Sequence, residues 1–498
     1  MAQYQSFIGL EVHIHLLTNT KVFCGCRSAF GDEPNTNVCP VCMGYPGVLP
    51  SLNIESVRMG CMVARSLSCH IPEKTWFERK QYFYPDMPKN YQISQFASPL
   101  GQEGFVEVIG KIGDHDIKKR VRIKECHLEE DAGKMIHTGT VSLLDYNRAG
   151  VSLLEIVTEP DMETGEEAEL FIQQLRRMVR YLGVCDGNME EGSLRADANV
   201  SINLPGKGLG RKVEIKNLNS SRFVRLALNH EIIRQGVVLD EGKTVIQETR
   251  LWNENRDQTE PMRQKENAQD YRYFPEPDIP VFSPDSAFLA SVENSLVELP
   301  LPRARRYERD FGLSREQADL VCEEKEGADY FEETVNLAVK QGLDVKEAAG
   351  KVANWFLQDI KHVLNREGIP LHSIAAFKLN PARLASLVLL ADSGRISVKI
   401  AKRTLETVLV EDKDPDVIVR EQGWEILSDP AAIARAVKDV EAGESKALAE
   451  AREAKAAGNN KRSQTLAAFL VGKVLEKTGG RADPKIAGAQ IAVLIDSR

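Results

Sequence analysis

Near residue 300 the hydrophobic periodicity of this 498-residue chain changes, and the change restricts it to a strand-rich part followed by a helical one. Before that point Leu10, Val12, Ile14 and Leu16 alternate with Glu11, His13 and His15, the pattern of a half-buried strand. Asp197 to Leu204 alternates in the same way, PGKGLGRK supplies a glycine-rich turn, and Val213 to Lys216 alternates again, which predicts a hairpin. Residues 105–128 predict a second strand–turn–strand unit. Two helices interrupt the strands. Thr164 and Glu167 have capping-box spacing, and Ala168, Phe171, Leu175, Met178 and Leu182 then mark one helical face before Gly183. Residues 221–235 predict another helix, closed by Gly236, and FPEPDIPVFSP at 274–284 predicts a boundary.

Past residue 300, amphipathic segments at 314–325, 345–363, 379–392 and 396–409 predict helices only. The expected fold class is therefore α+β. A mixed α/β cradle with an antiparallel-rich sheet occupies 1–295, an all-helical domain 296–410, and a small helical tail domain 411–498, joined through EDKDPD. The net charge of −9 excludes a chain-wide basic footprint, so a nucleic-acid partner needs a local patch. From Lys446 to Arg498 there are ten Lys and Arg against five Asp and Glu, a surplus that suits either a solvated helical face or RNA contact. No apolar run approaches the roughly 18 residues of a membrane span. The opening MAQYQSFIGLEVHIHL has neither a basic leader nor a small-residue cleavage site, so the expected compartment is the cytoplasm.

Four of the nine cysteines fall between positions 24 and 42. Cys24 and Cys26, then Cys39 and Cys42, form two close pairs that can offer four thiolates to one Zn²⁺. With every ligand supplied by the protein, such a zinc is structural. Cys61, Cys69, Cys126, Cys185 and Cys322 are scattered and read as small buried hydrophobes.

Several acids stand where a bland sequence would not put them. Glu11 and His13 share one face of a strand, and Glu155 interrupts the apolar run VSLLEIV at 151–157. A charge in a buried strand costs several kcal/mol unless it is paired or bound to metal. Glu129, Glu130 and Asp131 adjoin one another in HLEEDAGK. Glu190, Glu191 and Asp197 fall in MEEGSLRADANVS, and Glu214 lies on the paired strand. Four or five such oxygens with one imidazole suit Mg²⁺ shared with a substrate phosphate. The sequence has no GxxxxGK[ST] loop and no kinase or GxSxG signature, so a nucleotide here would need an uncommon site.

At these residues the chain resembles a known family. IGLEVHIHL, YPGVLP, YFYPDMPKNYQIS, HLEEDAGK, LLEIVTEPD, MEEGSLRADANVS, KNLNS, QETR, DYRYFPEPDIP and the tail segment FLVGKVLEKTGGRADP together resemble the B subunit of the aspartyl/glutamyl-tRNA(Asn/Gln) amidotransferase. The resemblance implies a carbon–nitrogen ligase working as a heterotrimer with an amidase A subunit and a small C subunit, away from membranes. The chain would use Mg²⁺ and ATP to phosphorylate the side-chain carboxylate of Asp-tRNA(Asn), Glu-tRNA(Gln) or both, and ammonia released from glutamine would displace the phosphate.

By motif position, the resemblance assigns the magnesium and kinase site to Glu11, His13, Glu130 (with Glu129 its adjacent alternative), Glu155 and Glu214. Lys89, Arg195 and Lys216 are the expected phosphate contacts, Cys24, Cys26, Cys39 and Cys42 an optional zinc staple, and the tail the part that touches tRNA. Two other readings fit parts of the sequence: a tRNA-binding scaffold without its own kinase site, and a stand-alone metal-dependent phosphohydrolase.

Overall fold

A computed structural model describes residues 4–113, 115–264, 271–427 and 429–497. Asp270 of the DYRYFPEPDIP motif, the first three residues of the expected cradle and Arg498 of the basic tail lie outside them. The chain divides into two compact units, Met1–Leu299 and Pro300–Arg498. The first is a mixed sheet with helices and the second is helical.

In the first unit the strands are β1 (Gln5–His15), β2 (Glu78–Gln81), β3 (Tyr91–Ser94), β4 (Gly101–Ile112), β5 (His115–Glu130), β6 (Lys134–Thr138), β7 (Val141–Asp145), β8 (Ser152–Thr158), β9 (Leu194–Asn203), β10 (Val213–Leu218), β11 (Glu248–Asn253), β12 (Gln258–Gln264) and β13 (Phe274–Pro275). Eleven form one sheet in the order β12-β11-β10-β9-β1-β8-β5-β3-β2-β13 with β4 paired to β5, while β6 and β7 pair apart. Its ladders are antiparallel except β10–β11.

Strand parity divides the sheet chemically. Ile8, Leu10, Val12 and Ile14 of β1, Leu128 of β5, Leu154 and Ile156 of β8 and Ala196, Ala198 and Val200 of β9 are buried in one core. That core is shared with helices α1 (Ile54–Ser66), α2 (Gly165–Tyr181), α3 (Ser221–Asp240) and α4 (Ser286–Ser295). The alternate positions Glu11, His13, Glu155, Arg195 and Asp197 stay half-buried on the other face.

The cap of α2 differs in detail from a capping box. Thr164 Oγ accepts from Glu167 N at 3.1 Å, but the Glu167 carboxylate reaches the Glu163 N–H at 2.7 Å instead of the cap residue's own. Helix α3 runs through Gly236 to Asp240, because Ser220 caps its start and buried Glu231 and Gln235 anchor the turn before the glycine. The Pro-rich stretch lies inside the first unit. Phe274 pairs with Arg79, and Phe282 and Thr75 exchange backbone hydrogen bonds at 2.9 Å, so the stretch runs along the sheet, with Pro275 in edge strand β13.

In the second unit the 314–325 segment breaks at Cys322, where Arg315–Val321 gives way to a helix over Lys325–Lys340. Val345–Asn354 continues through a wide turn at Trp355–Ile360 into Lys361–Glu367. The buried side chains form two clusters, one from Ala304 to Trp424 and one from Ile433 to Ile495. Among the described residues no helix is long and apolar enough to cross a membrane.

Candidate active site and metal centre

The polar face of the sheet collects the acids through cross-strand pairing. His13 on β1, Glu155 on β8 and His127 on β5 lie opposite one another in adjacent ladders, so their side chains stand in one row. Glu129, two residues beyond His127 on β5, shares that face. His13 Nε2 is 3.3 Å and His127 Nε2 3.4 Å from Glu155, and the same nitrogens are 4.0 and 3.9 Å from Glu129. The donor atoms of His13, Glu129 and Glu155 all lie within 4.8 Å of one another.

The electrostatics follow from this crowding. Burial opposes ionisation of Glu155, yet the His127 and His13 imidazoles hold its carboxyl well below the usual carboxylate range. Burial likewise disfavours charge on His13, but Glu155, then Glu129 and Asp197, push it up to about 9. Glu129 is raised, first by burial and then by Glu155. Buried Glu129 and half-buried Glu155 face each other as a like-charge pair that a divalent cation relieves, and the donor set fits one. His127 Nδ1 is buried without a hydrogen-bond partner among the described residues.

Next along β1 and β9 is a second group. Glu11 accepts from Asn199 Nδ2 at 2.9 Å, and Asn199 Oδ1 is buried and unpartnered among the described residues. Lys216 Nζ lies 2.5 Å from Asp197 and 3.6 Å from Glu214, which also accepts from Thr249 Oγ at 2.8 Å. Arg195 is opposite His13 in the β1–β9 ladder. Its Nη2 donates to buried Asp131 at 3.0 Å, and its Nε is buried and unpartnered among the described residues. Asp131 also takes contacts from His15 at 2.7 Å and Arg148 at 3.3 Å. Against the penalty of burial, Arg195 foremost and then His15 and Arg148 hold its carboxyl far below the usual range.

The structure does not bring Glu130 or Lys89 to either group. One residue past Glu129, Glu130 turns toward the opposite face of β5. There it is ion-paired to Lys89 Nζ at 2.5 Å and accepts from the Ile93 N–H at 2.9 Å, with both side chains buried. Glu129 stands where the motif alignment puts Glu130, and sequence reasoning misses His127 altogether. Leu128 carries the signal that finds both: an apolar residue bound for the core puts its two neighbours on the polar face. Lys80 is a further neighbour. Burial disfavours its charge, but Glu129 raises its pKa, and its Nζ lies 4.9 Å from the Tyr271 ring.

The four clustered cysteines converge as their spacing predicts. Their sulfurs lie within 4.8 Å of one another, against about 3.8 Å between sulfurs in a tetrahedron of 2.3 Å zinc–sulfur bonds. The Cys39 N–H points at Cys42 Sγ at 3.2 Å, and the backbone folds back through Met43 N to Cys39 O and Gly44 N to Val41 O, each 3.0 Å. The Cys42 thiol is drawn down to about 4, first by the thiol hydrogen bond from Cys24, and also by the Cys39 N–H and the Lys21 charge. The donor set fits a thiolate-bound metal. Cys61, Cys69, Cys126, Cys185 and Cys322 are all buried.

A polar sheet face carrying paired carboxylates and imidazoles, followed by a helical unit, describes an enzyme chain built around a candidate metal site. Residues 6–290 match the family model described as GatB/GatE catalytic domain, and residues 329–493 the one described as GatB domain. Relatives named as the B subunit of aspartyl/glutamyl-tRNA(Asn/Gln) amidotransferase include those of Crocosphaera subtropica (44% identical over 97% of this chain and 96% of the relative) and Carboxydothermus hydrogenoformans (43%, over 97% of each). That of Synechocystis is 44% identical over 99% of this chain and 98% of its own length. The chain belongs to this family of amidotransferase B subunits, and so to the ligases of translation.

Proposed function

We propose that this chain activates the side-chain carboxylate of Asp-tRNA(Asn), Glu-tRNA(Gln) or both with ATP, for amidation by ammonia from a partner amidase. A small third chain completes the assembly. The observation that carries this reading is the group His13, Glu129 and Glu155 on the polar sheet face, with Arg195 and Lys216 beside it.

Glu129 and Glu155 are the residues that would hold Mg²⁺, which when bound neutralises charge on the phosphate oxygens. His13 and His127 keep Glu155 ionised and oriented. Arg195, fixed by Asp131, and Lys216, fixed by Asp197 and Glu214, supply positive charge for the transferred phosphoryl group. Glu11 acts through Asn199 as a positioning residue. The substrate carboxylate is already ionised at pH 7 and needs no base. One of its oxygens bonds to the γ-phosphorus as the bond to ADP breaks. Ammonia then bonds to the acyl carbon, the carbon–oxygen bond breaks with its electron pair going to the departing phosphate, and that phosphate takes up the proton that nitrogen loses. The four cysteines would hold Zn²⁺ as a structural staple.

The C-terminal helices are the proposed tRNA contact. Arg462 and Lys455 are committed to Glu450 and Asp496. Lys446, Lys461, Lys477 and Lys485 make no side-chain ion pair among the described residues and are available for phosphates.

The test combines this chain with an amidase and the small third chain, Glu-tRNA(Gln), Mg²⁺-ATP and glutamine, and measures ADP and Gln-tRNA. Stoichiometric appearance of both supports the reading. Binding of tRNA without ATP consumption favours the scaffold alternative and removes the kinase role.

A further inference from the structure

Lys21 is fully buried, yet no carboxylate pairs with it among the described residues. Among the described residues its Nζ has two partners, Cys42 Sγ at 3.7 Å and the Tyr146 carbonyl at 3.2 Å. The nearby acid is already taken. A Cβ built on Gly150 would touch the Lys21 stem at 3.5 Å, Cys42 Cβ at 3.6 Å and Glu130 Oε2 at 3.8 Å, but Glu130 is neutralised by Lys89. A buried ammonium without an anion is strongly disfavoured, so the anion it answers to must be sulfur.

The backbone holds Lys21 to this position. Its N–H bonds the carbonyl of Cys26, the second residue of the first cysteine pair, at 2.9 Å, and Val22 N bonds the Gly150 carbonyl at 3.0 Å. Side chain and main chain therefore touch both cysteine pairs: Cys26 through its carbonyl and Cys42 through its sulfur. Four thiolates around one dication carry a net charge of −2, and a cluster so charged in a half-buried loop needs compensation.

We propose that Lys21 is the built-in counter-charge of the four-cysteine centre, a positioning residue that makes a thiolate-bound dication stable there. This inference rests on the metal-centre reading above. It makes metal and lysine mutually dependent: the lysine raises affinity for the ion, and the ion's thiolates make the buried lysine tolerable. Outer partners of metal ligands typically change affinity by roughly 10–100-fold when removed.

The experiment uses the full chain as Lys21→Arg, Lys21→Gln and Lys21→Met, with zinc affinity measured by competition against a chromophoric chelator. Thermal unfolding is followed with and without metal. Expected are an affinity loss of at least about tenfold in Lys21→Gln and Lys21→Met, and retention within a few-fold in Lys21→Arg. Metal removal should lower the unfolding temperature of wild type more than that of Lys21→Met. Lys21→Gln keeps a donor for the Tyr146 carbonyl, so it remains informative if Lys21→Met fails to fold. Unchanged affinity in both neutral variants, or an equal loss in Lys21→Arg, overturns the counter-charge role and leaves the zinc reading standing. A wild-type chain that retains no zinc overturns the metal-centre reading and this inference with it.

Discussion

Glu129 and Glu130 are adjacent, identical in chemistry and opposite in expected consequence. Glu130 and Lys89 have side-chain exposures of 3% and 8%, meet at 2.5 Å, and Glu130 also takes the Ile93 N–H. Replacing Glu130 with Gln keeps an acceptor for that N–H but strands a buried ammonium, and breaking a buried pair from one side costs about 3–5 kcal/mol. Glutamine's retained oxygen puts the expectation at the lower end, about 3 kcal/mol. Glu129→Gln instead removes one member of a like-charge pair with Glu155, so stability should hold or rise slightly. The assay is urea unfolding followed by circular dichroism, beside ADP release per folded molecule in the assembled enzyme. Glu130→Gln should be destabilised and, where folded, active, and Glu129→Gln should be stable and inactive. The reverse pattern, with Glu130→Gln stable and inactive, refutes the strand-parity argument.

Further outcomes follow from other parts of the structure. In the helical unit burial opposes ionisation of Glu332, but Arg306, Arg303 and the Tyr307 hydroxyl hold its carboxyl down to about 2. Because the folded value is depressed, its stabilisation is complete above the ordinary carboxylate value near 4.5 and is lost as pH falls toward 2. The urea midpoint of wild type should therefore drop over that window more steeply than that of Glu332→Gln. The Tyr330 hydroxyl donates to the Leu379 carbonyl at 2.6 Å in the buried core, so Tyr330→Phe should cost about 1–2 kcal/mol by urea unfolding. Lys461→Ala with Lys477→Ala should weaken tRNA binding without regard to sequence, each reducing the slope of log affinity against log salt by about 1 or less in filter binding.

Strand β1 is legible because its alternation needs no partner to be read: four core residues and three polar ones specify a face by themselves. The β9–β10 hairpin is legible for a similar reason, with Gly206 and Gly208 at φ of 78° and 72° supplying the turn conformation that only glycine adopts freely. The cysteine loop announces itself by spacing. The rest depends on contacts distant in sequence. Glu129 meets Ser94 only through β3–β5 pairing, and Asp131, one residue past β5, meets Arg195 of β9, which is distant in the chain. FPEPDIPVFSP has the look of a boundary because its prolines are poor strand formers, yet edge strand β13 accommodates Pro275. Gly236 has the look of a stop because glycine costs roughly 1 kcal/mol inside a helix, a cost that packing around Glu231 and Gln235 overrides.

The activated carboxylate can be trapped with an added nucleophile. The assembled enzyme with Glu-tRNA(Gln), Mg²⁺-ATP and hydroxylamine, but without glutamine, should form glutamyl hydroxamate on the tRNA, because an acyl phosphate reacts with the added nucleophile. Glu155→Gln should bind the tRNA as wild type does and form none. Hydroxamate at the wild-type rate in Glu155→Gln would contradict the claim that the row of His13, Glu155 and His127 is where the carboxylate is activated.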